Sequence, residues 1–259
     1  MIDRGLEQKV ALELKKNGCD AAGFEARQIV ASATSAAEAE TMLNERLKRR
    51  PLQYILGEWE FYGLPFKVGE GVLIPRPDTE IAVETAIKLL NGRQRAKVLD
   101  VCAGSGCIGI ALGVHCNAEV TFLEKSPEAL RFLRENLKLN QMNAVVLERD
   151  VLADGLGVSE QDLIISNPPY IKTEVIPTLE PEVQTEPLMA LDGGEDGLVF
   201  YKRITELAVK ALGDGGYLVF EIGYDQSDEV SKILRQNGFT DINCVKDYGG
   251  NDRVVVGKI

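Results

Sequence analysis

The tetrapeptide Asn167-Pro168-Pro169-Tyr170 directly follows the apolar segment DLIIS and carries groups that could bind an amino group. Proline fixes the backbone and has no amide hydrogen, so the carbonyl of Pro168 stays free to accept a hydrogen bond. Together with the side-chain oxygen of Asn167, it could hold both hydrogens of a planar NH2 group. Tyr170 adds an aromatic face for stacking or for contact with a cation. The tetrapeptide therefore predicts a site that turns an NH2 nitrogen toward a methyl donor.

Alkylation is the chemistry that suits such a site. An amide or aryl NH2 nitrogen is a weak nucleophile. Its hydrogen bonds to the acceptors on Asn167 and Pro168 would strengthen as the nitrogen becomes tetrahedral and cationic. No strong base is required, because the alkylated, cationic amide is itself very acidic. The single histidine, His115, stands where a helix gives way to a strand, and we expect it to be a connector residue. The chemistry is therefore predicted to proceed without histidine.

A glycine-spaced turn over residues 104–109, Gly-Ser-Gly-Cys-Ile-Gly, lies between the strand-like segment KVLDV and a helix-like segment. Glycines permit a sharp turn and a close approach to a ligand, and the helix start offers unpaired amides. Glu124 ends the next strand, where its carboxylate could accept both hydroxyls of a ribose. We interpret Cys102 and Cys107 as small buried thiols beside the turn. The combination predicts an adenosine-type cofactor, either a dinucleotide or S-adenosylmethionine.

The composition limits the classes of protein that fit. The chain has 259 residues, 45% of them apolar and 27% charged, which predicts a folded globular protein with a sizeable core. The chain contains no run of about 18 uncharged apolar residues, so we predict no membrane span. A net charge of −11 disfavours a dedicated nucleic-acid binder, because an acidic surface repels phosphate. Five cysteines without a CxxC pair predict a reduced, cytoplasmic setting. We expect a monomer with no metal site and no membrane partner.

Three segments that differ in their pattern of apolar and polar residues follow one another along the chain. We predict a helical domain over residues 1–50, a β-hairpin linker over 51–75 and a larger domain over 76–259. In the larger domain strands alternate with helices, which predicts a mostly parallel sheet covered on both faces. The last two apolar segments, TDINCV and RVVVGKI, are too close for a crossover helix and should pair antiparallel.

Two local signals belong to the helical domain. Ser35 with Glu38 three positions later predicts the start of the third helix. The basic run at 46–50, at the end of that helix, is most simply a solvated helix end favoured by the helix dipole. The first 75 residues are nearly balanced in charge, so the acidity belongs to the rest of the chain.

The motifs resemble those of a known family. Residues 100–106, Asp-Val-Cys-Ala-Gly-Ser-Gly, resemble the first motif of class I S-adenosylmethionine methyltransferases, with Cys102 where that motif often has a glycine. Later in the sequence, the NPPY tetrapeptide resembles that of enzymes that methylate planar NH2 groups. Four stretches, PLQYILG (51–57), IPRPDTE (74–80), EPLMALD (186–192) and GNDRVV (250–255), resemble signatures of the release-factor glutamine methyltransferases. The resemblance spans essentially the whole chain.

The resemblance implies both a fold and an activity. The fold would be α/β, a Rossmann-like, mostly parallel seven-stranded sheet with an antiparallel C-terminal strand, plus a small helical N-terminal domain joined by a β-hairpin. The cofactor would be S-adenosylmethionine, leaving S-adenosylhomocysteine, and the substrate the glutamine of the Gly-Gly-Gln motif in peptide chain release factors. The helical domain over 1–50 would dock that protein partner, with the basic run at Arg46 to Arg50 as the docking surface.

Site residues follow from the resemblance position by position. It places the cofactor on Asp100, Cys102, Ala103, Gly104, Ser105, Gly106, Glu124, Asp150, Val151 and Asn167. It places catalysis on Asn167, Pro168 and Tyr170, and the glutamine substrate on these residues with Pro169, Arg76 and Pro77. By the residues alone, Pro77, Asp78 and Thr79 are also a good helix start.

Three alternatives share parts of this pattern. A DNA or RNA amino-methyltransferase shares the NPPY chemistry but should carry a basic face and a target-recognition region. A nicotinamide dehydrogenase shares the glycine turn, but nothing in the NPPY segment serves hydride transfer. A non-catalytic scaffold could bind S-adenosylmethionine through the same motifs. The net charge of −11 speaks against the nucleic-acid enzyme, whereas the scaffold stays open because motifs show the capacity to bind and not turnover.

Overall fold

Three helices form the N-terminal part of the structure, which is a computed structural model and describes residues 4–259. They are α1 (Arg4–Lys16), α2 (Ala22–Ser32) and α3 (Ala36–Leu47). Val10 and Leu14, four residues apart on α1, are buried and belong to the same apolar cluster as Ile29 and Leu43 of the other two helices. Because one face of each helix is apolar, the three helices bury a core of their own.

The start of α3 follows the predicted capping pattern, with one difference. The Ser35 hydroxyl accepts a hydrogen bond from the Glu38 amide at 3.2 Å, as an N-cap residue does. The Glu38 carboxylate reaches one residue further back than in a standard capping box and accepts from the Thr34 amide at 2.7 Å. These two bonds fix the point at which the chain enters the helix.

The hairpin of the linker is shorter than the aromatic-rich sequence predicted. It consists of β1 (Glu58–Phe61) and β2 (Leu64–Lys67), and it is preceded by a short helix, α4 (Leu52–Leu56). Leu52 and Leu56, four residues apart, both pack against the core of the N-terminal helices. Burial of this i, i+4 pair favours one helical turn over an extended strand.

The rest of the chain alternates strands with helices. The strands are β3 (Lys97–Val101), β4 (Glu119–Glu124), β5 (Val145–Glu148), β6 (Gln161–Ser166), β7 (Leu212–Glu221), β8 (Thr240–Lys246) and β9 (Asp252–Lys258). The helices are α5 (Glu80–Leu89), α6 (Cys107–Cys116), α7 (Pro127–Leu139), α8 (Pro181–Gln184), α9 (Leu188–Leu191), α10 (Val199–Ala211) and α11 (Ser227–Gln236). Within residues 4–259 no helix has the length and apolar character needed to cross a bilayer.

The predicted sheet is confirmed. Its seven strands lie in the order β5-β4-β3-β6-β7-β9-β8, and β9 alone runs against its neighbours. Neighbouring residues of β3 face opposite sides: Val98 packs in one apolar cluster with α5 to α7, and Leu99 in another with α10 and α11. The chain leaves β3 toward β4 on one side, while β6 lies on its other side. In such sheets the loops that follow the two diverging strands open a crevice.

The basic run at the end of α3 is not the solvated helix end that we expected. Arg46 is only 6% exposed and donates to both carboxylate oxygens of Glu25, at 2.8 and 3.0 Å. It also donates to Glu182 of α8 at 2.8 Å, and Arg49 donates to the second oxygen of Glu182 at 2.9 Å. Partners 21 and 136 residues away in sequence thus bury a side chain that local sequence places on a helix surface.

Replacement of Arg46 by alanine is expected to lower the free energy of unfolding by about 3 kcal/mol or more, because Glu25 would lose its buried partner. Urea denaturation followed by circular dichroism measures the change. Lys48→Ala is the matched control, since Lys48 belongs to the same run but makes an exposed pair with Glu45, worth at most about 1 kcal/mol. An equal, small loss in both variants would contradict a structural role for Arg46.

Candidate active site

A cleft of about 890 Å³, counted to its open mouth, lies at the carboxyl ends of the parallel strands. It is lined by the segments that follow β3, β4, β5 and β6, by residues 71–76 and by the region around α9. The Ser166 hydroxyl donates to the carbonyl of Val101 at 2.6 Å, which ties the ends of β6 and β3 together. The glycine turn and the NPPY segment therefore open into the same cleft.

The glycine turn presents its backbone to this cleft. Gly104 has a φ of 56°, and a Cβ added there would meet no protein atom within 4 Å. A ligand can therefore approach the Gly104 backbone closely. Cys102 has a φ of 59°, the left-handed conformation that glycine adopts most readily, which agrees with the glycine that the resembled motif often has at this position.

Asp100 lies beneath the turn and does not line the cleft. One carboxylate oxygen accepts from the Gly109 amide at 2.9 Å, and the other has no partner among the described residues. Complete burial raises the pKa of Asp100 to about 7, although the hydrogen bond from Gly109 acts to lower it. A Cβ at Gly109 would lie 2.4 Å from the Phe122 ring, so a glycine is needed where α6 crosses β4. Asp100 thus fixes the start of α6.

Of the two thiols beside the turn, which the sequence predicted to be buried, Cys107 is buried and Cys102 is half-buried. Burial raises the pKa of both the Cys102 and the Cys107 thiols, to about 12 for Cys107. Because the thiolate is the nucleophilic form, neither side chain is an activated cysteine.

Glu124 lies in the cleft and is already hydrogen-bonded to its walls. One carboxylate oxygen accepts from the Gly104 amide at 2.8 Å, and the other accepts from the amides of Lys125 and Ser126, each at 2.8 Å. A carboxylate offers about four acceptor positions, so these three bonds leave room for a ligand hydroxyl. Glu124 therefore orients the glycine turn in addition to the ligand role that the sequence predicted.

Asp150 and Val151 line the wall that follows β5. Asp150 accepts from the Leu152 amide at 2.9 Å and from the Lys125 ammonium at 3.0 Å. Burial favours the neutral acid, but these two hydrogen bonds outweigh it and lower the pKa of Asp150. Val151 is buried and gives the cleft an apolar surface beside this carboxylate.

The NPPY segment contributes unevenly to the cleft. Asn167 and Pro169 line it, whereas Pro168 is buried and Tyr170 packs against the apolar cluster beneath α10. Burial raises the pKa of Tyr170 to about 12, so its hydroxyl stays neutral. The Asn167 amide nitrogen donates to the Thr79 hydroxyl at 3.4 Å. Asn167 is thus the polar side chain that the segment presents to the cleft.

Two of the motif segments are joined across the cleft. Arg76 lines the cleft and forms an ion pair with the buried carboxylate of Glu186, which also accepts from the Ile74 amide at 3.0 Å. Pro77 lies outside the lining and begins the 3₁₀ turn Pro77–Thr79. Arg76 therefore connects the IPRPDTE and EPLMALD segments.

Ten of the predicted residues line the cleft and five do not. Those that line it are Arg76, Cys102, Ala103, Gly104, Ser105, Glu124, Asp150, Val151, Asn167 and Pro169; those that do not are Pro77, Asp100, Gly106, Pro168 and Tyr170. The lining also contains Ser126, Arg149 and Phe200, which the sequence did not assign to the site, and Thr79, which it predicted only as part of a helix start. A signal existed for Ser126, which caps the helix that follows β4, but none singled out Phe200.

Comparison with known proteins shows similarity in sequence and in fold. The family model of the methyltransferase small domain matches residues 78–182. The release factor glutamine methyltransferase of Fusobacterium nucleatum is 50% identical over 82% of this chain, and the chain covers 60% of that relative's length. The release factor glutamine methyltransferase of Clostridium botulinum is 44% identical over 83% of this chain and 77% of its own length.

Solved structures agree on the fold. A T. thermophilus 16S rRNA methyltransferase, in complex with AdoMet and guanosine, has a TM-score of 0.57 at 20% identity, covering 78% of this chain and 49% of that chain. At this identity the similarity shows the fold alone. The sequence identity to the Clostridium protein over most of both chains goes further, and the chain belongs to the release factor glutamine methyltransferase family.

Proposed function

We propose that this protein transfers a methyl group from S-adenosylmethionine to the side-chain amide nitrogen of the glutamine in the Gly-Gly-Gln motif of peptide chain release factors. The observation that carries the proposal is that Glu124, with the glycine turn, and Asn167, with the NPPY segment, line one cleft. The names of the relatives supply the substrate. Because that substrate acts in translation, we place the enzyme in the cytoplasm.

The cleft fits S-adenosylmethionine in its chemistry. The Gly104 backbone is open to a ligand, Glu124 keeps acceptor capacity for ribose hydroxyls, and Val151 offers an apolar surface for an adenine. When bound, S-adenosylmethionine supplies an electrophilic methyl group on a sulfonium. The similar fold that holds AdoMet supports this choice over a dinucleotide.

Asn167 and Pro168 hold the glutamine amide in this proposal. The Asn167 side-chain oxygen accepts one hydrogen of the NH2 group. The backbone carbonyl of Pro168, a residue outside the cleft lining, accepts the other where the substrate amide inserts beside Asn167. Both hydrogen bonds strengthen as the nitrogen becomes positively charged. They therefore stabilise the transition state of methyl transfer more than they stabilise the bound substrate. The cationic amide then loses its proton without a dedicated base.

We further propose that the N-terminal helices dock the release factor. Arg46 and Arg49 are ion-paired with Glu182, so the predicted basic surface leaves two cations to meet a partner: Lys48, which is exposed, and Arg50, which is half-buried and pairs with Glu45 and Glu70. Reversal of both charges is expected to raise KM for intact release factor several-fold and to leave KM for a short Gly-Gly-Gln peptide unchanged. Equal KM values for intact release factor would remove this surface from the proposal.

The proposed reaction is tested by incubating the enzyme with labelled S-adenosylmethionine and a purified release factor, beside a copy in which the Gly-Gly-Gln glutamine is alanine. Label on the first protein alone is the expected result. Label on neither, with the cofactor shown to bind, would overturn the proposal, and duplex DNA would then be the next substrate to test. The net charge of −11 argues against that nucleic-acid alternative.

A further inference from the structure

Thr79 and Glu221 are two buried polar residues that lie behind Asn167. Thr79 ends the 3₁₀ turn that leads into α5, and Glu221 is the last residue of β7. In the sheet Ser166 of β6 is paired with Phe220 of β7, so the next residue of each chain, Asn167 and Glu221, are neighbours. Thr79 is 2% exposed and Glu221 is 1% exposed. The three side chains thus form a group at the inner wall of the cleft.

The polar contacts in this group have a direction. The Asn167 amide nitrogen donates to the Thr79 hydroxyl oxygen at 3.4 Å. The Thr79 hydroxyl also lies near the Glu221 carboxyl group and acts to lower its pKa, although no hydrogen bond joins these two described side chains. One oxygen of that carboxyl group, Oε2, is buried and has no partner among the described residues. A buried carboxylate with spare acceptor capacity is costly unless it binds a donor, so the Thr79 hydrogen is drawn toward it.

We infer that Thr79 and Glu221 are positioning residues that set which face of the Asn167 amide meets the substrate. This inference rests on the proposed amide-binding role of Asn167. The oxygen and nitrogen of an asparagine side chain differ little in shape, so a rotation by half a turn exchanges them. The productive orientation presents the Asn167 oxygen to the substrate NH2. The rotated orientation would instead place the Asn167 NH2, which is a donor, against the substrate NH2, which is also a donor.

The Thr79 hydroxyl resolves this ambiguity because it carries a single hydrogen. When that hydrogen is directed toward Glu221, the hydroxyl offers only lone pairs to Asn167 and therefore binds its NH2 end. The oxygen of Asn167 is then left facing the cleft. In a rotated amide, two acceptor oxygens, those of Thr79 and Asn167, would face each other.

The charges around Glu221 support an acceptor role at alkaline pH. Burial raises the pKa of Glu221 to about 7, while the Thr79 hydroxyl and the guanidinium groups of Arg253 and Arg76 act to lower it and Asp78 acts to raise it. Tyr170, Tyr201 and Cys107 also interact with Glu221, and burial raises the pKa of each, so all three stay neutral. Above pH 7 the ionised carboxylate, which can only accept, is the main form.

Thr79→Val keeps the shape of the side chain and removes the hydroxyl. We expect kcat for methylation of release factor in alkaline buffer to fall about 5- to 100-fold, because the productive orientation would leave a buried N–H without a partner. The Kd for S-adenosylhomocysteine and the free energy of unfolding should stay close to wild type. Thr79→Ser should restore kcat to within a few-fold.

Glu221→Leu separates positioning from direct contact of Thr79 with a ligand. Without the carboxylate the Thr79 hydrogen is free to donate to the Asn167 oxygen, which favours the rotated amide. We expect kcat to fall while the free energy of unfolding is unchanged or higher, since an unpaired buried oxygen is removed.

Kinetics of these three variants decide the inference. Wild-type kcat in Thr79→Val, an equal loss in Thr79→Ser and Thr79→Val, or wild-type kcat in Glu221→Leu would each overturn it. Absence of methyl transfer by the wild-type enzyme is a different result and would overturn the proposed function together with the inference.

Discussion

Asn167→Ala is expected to lower kcat for methylation of release factor about 100- to 1000-fold, the loss typical when one group that stabilises transition-state charge is removed. Asn167 is the polar side chain of the NPPY segment that reaches the cleft. The Kd for S-adenosylmethionine should change by no more than a few-fold, because the glycine turn and Glu124 remain in place. Single-turnover kinetics and calorimetric titration measure the two quantities separately.

Asn243→Ala is the control for this variant. Asn243 is an exposed residue of β8, at the edge of the sheet, and its amide bonds only to the Asp241 carbonyl. Its removal should leave both quantities unchanged. Near-normal turnover by Asn167→Ala would exclude the amide-binding mechanism, whereas a large loss of cofactor affinity would assign Asn167 to the cofactor instead.

Glu124→Ala is expected to raise the Kd for S-adenosylmethionine about 10- to 100-fold, since a hydrogen bond to a charged group contributes about 1.5–3 kcal/mol. Two effects add: the ribose would lose an acceptor, and the Gly104 amide would lose its partner at 2.8 Å. At saturating cofactor, kcat should recover to within a few-fold of wild type. Titration calorimetry and steady-state kinetics over a range of cofactor concentration measure both parts.

Glu119→Ala is a matched control because Glu119 begins the same strand, β4, that Glu124 ends. Glu119 is exposed and pairs with the exposed Arg95. Its replacement should leave the Kd unchanged. A Kd for Glu124→Ala equal to that of the control would show that the ribose is not bound by this carboxylate.

The large features of the fold could be predicted because each rests on a strong local pattern. Alternation of strands and helices dictates a parallel sheet, and the carboxyl ends of its strands meet at one edge. The glycine turn and the NPPY segment, about 60 residues apart in sequence, each follow a strand of this kind, and both line one cleft. The resemblance to the family supplied the substrate, which no spacing of residues could indicate.

The remaining differences arise where distant partners decide a side chain's environment. The residues next to Arg46 in sequence predict a solvated side chain, but Arg46 is buried in an ion pair with Glu182, which lies far along the chain. Residues 52–56 lie in the linker that we predicted to be a β-hairpin, but they form a helix because Leu52 and Leu56 both pack against the core of the N-terminal helices. The residues around Thr79 predict a helix start, and its contact with Asn167, 88 residues further along the chain, cannot be inferred from them. Local sequence carries no record of such contacts.

Mass spectrometry of the methylated release factor tests the central claim most directly, namely that the cleft binds a glutamine side-chain NH2. After reaction with the wild-type enzyme and S-adenosylmethionine, the proteolytic peptide that contains Gly-Gly-Gln should be heavier by one methylene group, and fragmentation should place that mass on the glutamine amide nitrogen. The same peptide should be unchanged after reaction with Asn167→Ala. A methyl group on any other residue, or full methylation by Asn167→Ala, would contradict the account.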